Sequence, residues 1–146
     1  MRILVTGGAG FIGSHIVDAL VEEGHQVSVI DNLLGTGENF VNPKVNFYDV
    51  NITDEKSISD VFERERPQVV NHHAAQTNVR YSMTETAYDA QVNVIGSINV
   101  LESCVKVGVT KFVFASTCGV YAEPEKIPMS EIHPIQLISG YGLSKY

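Results

Sequence analysis

Three residues in the second half of the chain have the types and spacing of a proton-transfer site. Tyr141 and Lys145 are four residues apart in a segment that opens as a helix, so their side chains can project from one face. A tyrosine with a pKa of about 10 is a poor base at neutral pH, but a nearby ammonium favours the phenolate and lowers that pKa. Thr117 follows an apolar run, and its hydroxyl can share the substrate proton. The Tyr/Lys spacing alone also fits an ordinary solvated helix face.

A second candidate motif, which would hold a ligand against these residues, lies at the other end of the chain. A short apolar run over residues 3–5 leads into Gly7, Gly8, Gly10 and Gly13 and then into an amphipathic helix. Both G-x-G-x-x-G and G-x-x-G-x-x-G can be traced through these glycines, and the strand-turn-helix context is typical of dinucleotide binding. Glycines let a pyrophosphate approach the backbone, and the helix N-terminus attracts its charge. The alternative is a flexible glycine-rich turn without a ligand.

Asp31 supports the dinucleotide interpretation. It lies 18 residues after Gly13, at the end of a predicted strand over Gln26–Ile30. An acid at that point accepts hydrogen bonds from the adenosine ribose, and its charge repels a 2′-phosphate, which favours NAD over NADP. The alternative is an ordinary aspartate in a strand-end turn.

The remaining apolar runs continue the alternation of strands and helices. Three helices are predicted: Phe11–Glu23, a segment that is capped by Thr53 or Asp54, carries Ile58, Val61 and Phe62 and ends by Pro67, and Glu85–Val107. The further predicted strands are Val45–Tyr48, Gln68–Asn71 and Lys111–Ala115. Turn-rich connections are predicted over Leu33–Pro43, with Gly35, Gly37 and Asn39, and over Glu123–Pro134. Such alternation predicts an α/β fold of the Rossmann-like, doubly wound type, with a parallel sheet and helices on both faces. We expect one domain over residues 1–146.

The long predicted helix carries two apolar faces. Val94, Ile98, Leu101 and Val105 form a stripe that we interpret as core, and Tyr88, Val92 and Ile95 form a second face that can meet a partner subunit. Asn93 is polar among them and can hydrogen-bond a strand or a cofactor.

His72 and His73 follow the fourth predicted strand at the edge where open α/β folds bind ligands. Neighbouring strand residues point to opposite faces, and no Cys, Asp or Glu is spaced to join them, so we expect no metal site. The small residues Ala74 and Ala75 let a cofactor lie close to the sheet.

Composition narrows the function classes. The chain has 146 residues, of which 44% are hydrophobic and 18% charged, and a net charge of −7 argues against nucleic acid as a partner. No apolar run is long enough for a membrane span, and we expect a cytoplasmic protein. Cys104 and Cys118 are too few for a metal cage or disulfide framework and are interpreted as reduced thiols.

Together these motifs resemble the extended short-chain dehydrogenase/reductase family, and within it the nucleotide-sugar epimerases of the UDP-glucose 4-epimerase type. The resemblance covers essentially the whole chain. It is carried by residues 6–15 (Thr-Gly-Gly-Ala-Gly-Phe-Ile-Gly-Ser-His), Asp31–Asn32, Asp49–Val50, 72–76 (His-His-Ala-Ala-Gln), Asn93, Ser116–Thr117, Val120–Tyr121 and 141–145.

This resemblance implies a mechanism and a cofactor site. Tyr141 would take the proton of a sugar 4-hydroxyl, Thr117 would share it, and Lys145 would hold the nicotinamide ribose and lower the tyrosine pKa, while NAD exchanges hydride with C4. The resemblance places the cofactor against Gly7, Gly10, Phe11, Ile12 and Gly13 at the pyrophosphate, Asp31 and Asn32 at the ribose, Asp49 and Val50 at the adenine, and Ala74, Ala75, Asn93, Tyr141 and Lys145 along the channel.

Differences from the family pattern bear on the reaction. In the sugar dehydratases of the family that this chain resembles, acidic residues come directly after the catalytic Thr. This sequence has Cys118 and Gly119 at those positions, so an epimerase is favoured over a dehydratase. Thr77 stands where some epimerases have a phosphate-binding Lys, which leaves the sugar open. The alternatives are a dehydratase or reductase of the same family and an NAD-binding fragment without turnover.

The resemblance also implies a second lobe, which binds the nucleotide sugar and which we expect to be absent from these residues. A family-like homodimer would form through the long helix and the Tyr/Lys helix.

Overall fold

Five short parallel strands form one sheet at the centre of the fold. They are β1 (Arg2–Thr6), β2 (Gln26–Asp31), β3 (Asn46–Asp49), β4 (Val69–His72) and β5 (Lys111–Phe114), in the order β3-β2-β1-β4-β5. The structure is a computed structural model that describes residues 1–35, 40–121, 123–124 and 126–146. After β3 the chain crosses to the other side of β1, where β4 and β5 continue the sheet. The predicted doubly wound sheet is therefore confirmed. Gly37 and Asn39 of the first predicted connection lie outside the described residues.

Alternate residues of the strands build two cores, one on each face of the sheet. On one face, Ile3 and Val5 pack with Val17 of α1 (Phe11–Glu22). On the other face, Leu4 is fully buried beneath α2 (Glu55–Glu65) and α5 (Gly96–Val107). Each such fully buried aliphatic side chain stabilises the fold by about 1.5–3 kcal/mol. The predicted helices on both faces are therefore present.

Local capping explains where α2 begins and ends. The Asp54 side chain accepts hydrogen bonds from the Ser57 backbone N–H at 3.1 Å and from the Ser57 hydroxyl at 2.7 Å. Arg66 ends the helix in the left-handed conformation, with a φ of 45°. Of the two caps that the sequence offered, Asp54 is the one used.

The segment predicted as one helix over Glu85–Val107 is continuous from Thr86 to Val107 and contains one π-helical distortion. It consists of α4 (Thr86–Ala90), a π-helical turn over Gln91–Ile95 and α5, and an unpredicted helix, α3 (Val79–Thr84), precedes it. π-Helical turns insert an extra residue into a helix and are frequent at functional sites.

The predicted core stripe of this helix was wrong. Val94 is 40% exposed and Val105 83% exposed, and Ile98 and Leu101 also face outward. The buried face instead carries small and polar residues with Val100, and at Gly96 it lies close to Ile52 in the loop between β3 and α2. A Cβ on Gly96 would come within 2.6 Å of the Ile52 side chain.

The last helix, α6 (Gly140–Ser144), is only five residues long. Hydrogen bonds to the rest of the fold hold it, since its Tyr141 N–H donates to the Ser82 hydroxyl at 2.9 Å and the Ser116 hydroxyl donates to the Lys145 carbonyl at 2.7 Å. Isolated turns are marginal in water, so these tertiary bonds are what fix its position. Within the described part of the chain, no helix has the length and apolar character to cross a bilayer.

Candidate active site

A cleft of about 930 Å³ lies at the carboxyl edge of the sheet, at the point between β1 and β4 where the strand order reverses. Open α/β folds bind ligands at this position. The predicted site residues that line it are Gly7, Gly10, Phe11, Ile12, Gly13, Asp31, Asn32, Val50, Ala74, Ala75, Tyr141 and Lys145. Thr117, Asp49 and Asn93 do not line it.

The glycine-rich turn brings three backbone segments together at the head of the cleft. Gly7 has a φ of +69°, and a Cβ there would lie 2.6 Å from the backbone nitrogen of Ala74. A Cβ on Gly13 would overlap the Gly7 carbonyl. These two glycines therefore serve the close packing of the turn itself. At Gly10 only the Gly7 carbonyl is near, at 3.1 Å.

The start of α1 offers backbone donors to the cleft. The first N–H with a partner one helical turn back is that of Ser14, which donates to the Gly10 carbonyl at 2.9 Å. The N–H groups of Phe11, Ile12 and Gly13 precede it, and no side chain caps this terminus. Such groups, with the helix dipole, can bind an anion.

Asp31 is held in place at the end of β2. Its two carboxylate oxygens accept from the N–H groups of Ala9 at 3.0 Å and Leu33 at 2.9 Å. An ionised carboxylate has about four acceptor positions, so others remain for ribose hydroxyls. Asp49 stands opposite Asp31 in the β2–β3 register but is exposed and does not line the cleft, whereas Val50 does. The predicted adenine contact of Asp49 is therefore not supported by its position.

Tyr141 and Thr117 meet at the other end of the cleft. The Thr117 side chain hydrogen-bonds the Tyr141 phenol, and Thr117 also accepts from the Gly119 N–H at 3.1 Å. Burial raises the pKa of Tyr141, the Thr117 hydrogen bond lowers it, and the charges of Asp89 and Cys118 raise it. Burial is the largest of these effects, so the pKa of Tyr141 lies above its ordinary value, and Lys145 is not among the groups that shift it.

Lys145 is almost completely buried beside Tyr141. Its Nζ lies 4.2 Å from the centre of the Phe114 ring, a cation–π contact, and among the residues that the structure describes it forms no ion pair. Burial lowers the pKa of Lys145 to about 8, and Asp89 raises it. The ammonium is therefore charged at neutral pH but poorly compensated within the protein.

Asn93 acts behind the cleft instead of lining it. Its side chain accepts from the Gln76 N–H at 2.8 Å and donates to the Gln76 carbonyl at 3.0 Å and to the Ser144 hydroxyl at 2.9 Å. It thus joins the loop after β4 to α6. Asn93 is 2% exposed and turned into the protein, and its contact with a cofactor stays a prediction.

Sequence reasoning missed Asp89 and Gln76. Asp89 is buried and accepts from the Gln76 amide at 2.8 Å and the Asn93 amide at 3.2 Å, and its charge acts on Tyr141 and Lys145. The signal was present, since Asp89 precedes Asn93 by one helical turn. Across the described residues, no group of three or more His, Cys, Asp or Glu is placed to hold a metal.

The parallel sheet, the glycine-rich turn after β1, the acid that ends β2 and the Tyr/Lys pair in one cleft define the dinucleotide-binding class of extended short-chain dehydrogenases/reductases. Comparison with known proteins identifies the family. The model of the NAD dependent epimerase/dehydratase family matches residues 3–146. The chain belongs to this family.

Its relatives include several epimerases. A Methanocaldococcus jannaschii protein provisionally named UDP-glucose 4-epimerase is 50% identical over 145 residues, which cover 99% of this chain and 47% of that protein. Among solved structures, the Thermus thermophilus UDP-glucose 4-epimerase complex with NAD has a TM-score of 0.93 at 45% identity, covering 99% of this chain and 47% of that one. The Thermotoga maritima UDP-glucose 4-epimerase with UDP-glucose has a TM-score of 0.93 at 48% identity, covering 100% and 48%. This chain thus spans about half the length of the relatives it matches.

Proposed function

We propose that the protein to which these residues belong is an NAD-dependent nucleotide-sugar 4-epimerase that interconverts UDP-glucose and UDP-galactose. The observation that carries the proposal is one cleft with an anion-binding helix start and Asp31 at one end and Tyr141 and Lys145 at the other. The names of the relatives support the substrate. Residues 1–146 supply the cofactor side of this reaction.

The chemistry of the cleft fits NAD. The free N–H groups at the start of α1 suit a pyrophosphate, and the open side of Gly10 allows its approach. The remaining acceptor positions of Asp31 suit the ribose hydroxyls, and its negative charge disfavours a 2′-phosphate. NAD bound there would supply the hydride acceptor and donor for C4 of the sugar.

The proton chemistry belongs to this chain. Tyr141 takes the proton of the sugar 4-hydroxyl, and Thr117, hydrogen-bonded to its phenol, shares that proton. Because burial raises the pKa of Tyr141, base catalysis at neutral pH requires positive charge in the cleft. Lys145 lines the same cleft and would donate to the nicotinamide ribose, and a nicotinamide cation held there would supply such a charge.

A dehydratase is the second reaction that this family performs, and the residues after Thr117 argue against it. Elimination of water needs an acid beside the sugar, and the positions after Thr117 are Cys118 and Gly119 in a short 3₁₀ turn. An epimerase needs only the shared proton and the hydride exchange.

Cofactor binding is tested by calorimetric titration of the 146-residue chain with NAD. Asp31→Ala removes charge-assisted hydrogen bonds of about 1.5–3 kcal/mol, so we expect NAD affinity to fall about tenfold to a hundredfold. Asp60→Ala removes the same charge from the exposed face of α2 and should leave NAD affinity unchanged. Equal NAD affinity of the Asp31 and Asp60 variants would remove the ribose assignment.

Turnover is tested separately by adding NAD and UDP-galactose and measuring UDP-glucose, for this chain and for the protein at the length of its relatives. Tyr141→Phe should abolish product formation while NAD still binds. UDP-glucose formation by the Tyr141→Phe variant at the wild-type rate would refute the base assignment. NAD binding without product at either length would leave a dinucleotide-binding module as the function.

We also propose that two copies associate through the outward apolar stripe of α5. Ile98 and Leu101 are each 42% exposed, Val105 of the same helix is 83% exposed, and Val94 of the preceding π-helical turn is 40% exposed. Patches of this kind mark interfaces. Ile98→Lys should convert a dimer to a monomer in sedimentation experiments, whereas Ile132→Lys, at a 93% exposed loop position, should not. A wild-type protein that sediments as a monomer at high concentration would contradict this assembly.

A further inference from the structure

His72 has no role in the chemistry above, yet it is a fully buried polar side chain behind the cleft. It lies at the end of β4 and is 0% exposed. Its ring packs between Phe112 and Phe114, with centroid distances of 5.8 Å to each. Both ring nitrogens have partners, since Nδ1 lies 2.6 Å from the Thr6 hydroxyl and Nε2 lies 2.9 Å from the Ser97 hydroxyl.

The protons in this network have only one consistent arrangement. The Ser97 hydroxyl donates its single proton to the Asn93 carbonyl at 2.5 Å, so it must accept from His72 Nε2–H. The His72 Nδ1 atom then accepts from the Thr6 hydroxyl, whose oxygen in turn accepts from the Ala74 N–H at 3.2 Å. Burial lowers the pKa of His72 to about 3, so the ring is neutral under ordinary conditions.

The chain of hydrogen bonds runs from the cleft to the π-helical turn behind it. At one end are Thr6, which precedes Gly7, and Ala74, which lines the cleft. At the other end is the carbonyl of Asn93, inside the π-helical turn. The Asn93 side chain holds the Gln76 backbone and the Ser144 hydroxyl. The orientation of the π-helical turn about its axis therefore decides whether the Asn93 side chain can hydrogen-bond both the loop after β4 and α6.

We propose that His72, as the Nε2–H tautomer, is a positioning residue that holds the π-helical turn in the register from which Asn93 clamps Gln76 and Ser144. A π-helical turn accommodates an extra residue within a helix, and the hydrogen-bonded link from the sheet fixes where that residue lies. Through this link the end of β1, the loop after β4 and the Tyr/Lys helix keep one mutual position. The consequence for cofactor affinity rests on the proposed function, whereas the tautomer and the local hydrogen bonding do not.

The first test is the tautomer. Long-range ¹⁵N–¹H NMR spectra of the folded chain should show a protonated Nε2 and an unprotonated Nδ1 for His72. A ring protonated at Nδ1 would overturn the proposal, since Ser97 would then lack its donor.

The second test separates positioning from general stability. Thr6→Val keeps the shape of the side chain and removes its hydroxyl, while Thr6→Ser keeps the hydroxyl. Loss of one hydrogen bond corresponds to about a tenfold change, so Thr6→Val should accelerate hydrogen exchange at the Gln76 N–H about tenfold relative to the amides of β2. His72→Phe should do the same, and Thr6→Ser should restore slow exchange. Equal acceleration at Gln76 and in β2, or unchanged exchange at Gln76, would show a merely structural or absent role.

The third measurement is NAD affinity of the same variants. Thr6→Val should weaken NAD binding about fivefold to tenfold, and Thr6→Ser should retain it. A wild-type chain that binds no NAD would refute the proposed function and leave the NMR tests of His72 unaffected. Weakened binding in Thr6→Ser as well as Thr6→Val would overturn the positioning role, because the hydroxyl would not be what matters.

Discussion

Gly7 and Gly24 allow the packing of the glycine-rich turn to be measured apart from backbone strain. Both have left-handed conformations, with φ of +69° at Gly7 and +77° at Gly24. Their surroundings differ completely. A Cβ on Gly7 would lie 2.6 Å from the Ala74 nitrogen and 2.7 Å from the His73 carbonyl carbon, whereas a Cβ on Gly24 would have no atom within 4 Å.

The expected destabilisation follows from these two terms. A left-handed alanine costs about 1–2 kcal/mol, and this is the whole effect expected of Gly24→Ala. Gly7→Ala adds an overlap with backbone, which cannot rotate away as a side chain can, and overpacking of this kind costs about 1–3 kcal/mol. We therefore expect Gly7→Ala to lower the free energy of unfolding by about 2–5 kcal/mol.

Urea unfolding followed by circular dichroism measures both variants. With a urea slope of about 1–3 kcal/mol per M, the Gly7→Ala midpoint should fall below that of Gly24→Ala by about 1 M. The overlap also displaces Ala74 in the cleft, so NAD affinity should fall in Gly7→Ala and stay unchanged in Gly24→Ala. Equal midpoints for the two variants would refute the reasoning, because they would show that the loop after β4 yields to the added methyl at no cost.

Two further predictions concern buried titratable groups. Burial lowers the pKa of Lys145 from its ordinary 10.5 to about 8, so the charged ammonium destabilises the folded chain below pH 8, and this cost disappears as the pH rises to about 10.5. Lys145→Met should be more stable than wild type at pH 7 by up to about 3 kcal/mol, with a smaller advantage at pH 10, and a pH-independent difference in urea unfolding would contradict this. Burial raises the pKa of Cys104 to about 12, while Cys118 is exposed. A disulfide reagent should therefore modify only Cys118 in the folded chain and both thiols in urea. Equal modification rates of the two thiols in the folded chain would show that Cys104 is accessible.

The succession of strands and helices along the chain could be predicted because each of its signals involves residues that are close in sequence. The strands are short apolar runs, Asp54 caps its helix within three residues, and the turn after β1 needs glycines at fixed spacing. These requirements involve neighbours in sequence, so a single chain expresses them. The parallel order then follows from the alternation of strands and helices.

The buried face of α5 could not be predicted because it depends on how closely α5 approaches the Ile52 side chain. The sequence shows two apolar faces, and apolarity normally selects the core. Here the tight contact of Gly96 with Ile52 turns the small, polar face inward, and the π-helical turn changes the helix phase just before it. Neither the contact nor the phase change has a signature in the periodicity of Val94, Ile98 and Leu101.

The candidate site divides in the same way. Asp31, Tyr141 and Lys145 could be found from spacing, since each stands at the end of a strand or one helical turn from its partner. Their electrostatics could not, because the pKa of Tyr141 depends on burial and on Asp89, which lies more than 50 residues earlier in the chain. Asn93 shows why the distinction matters. Its amide is oriented by Gln76 and Ser144, and its carbonyl by the Ser97 hydroxyl, which is itself hydrogen-bonded to His72. A residue that the sequence marks as a ligand contact is thus, in the folded chain, the link that keeps the two ends of the cleft in register.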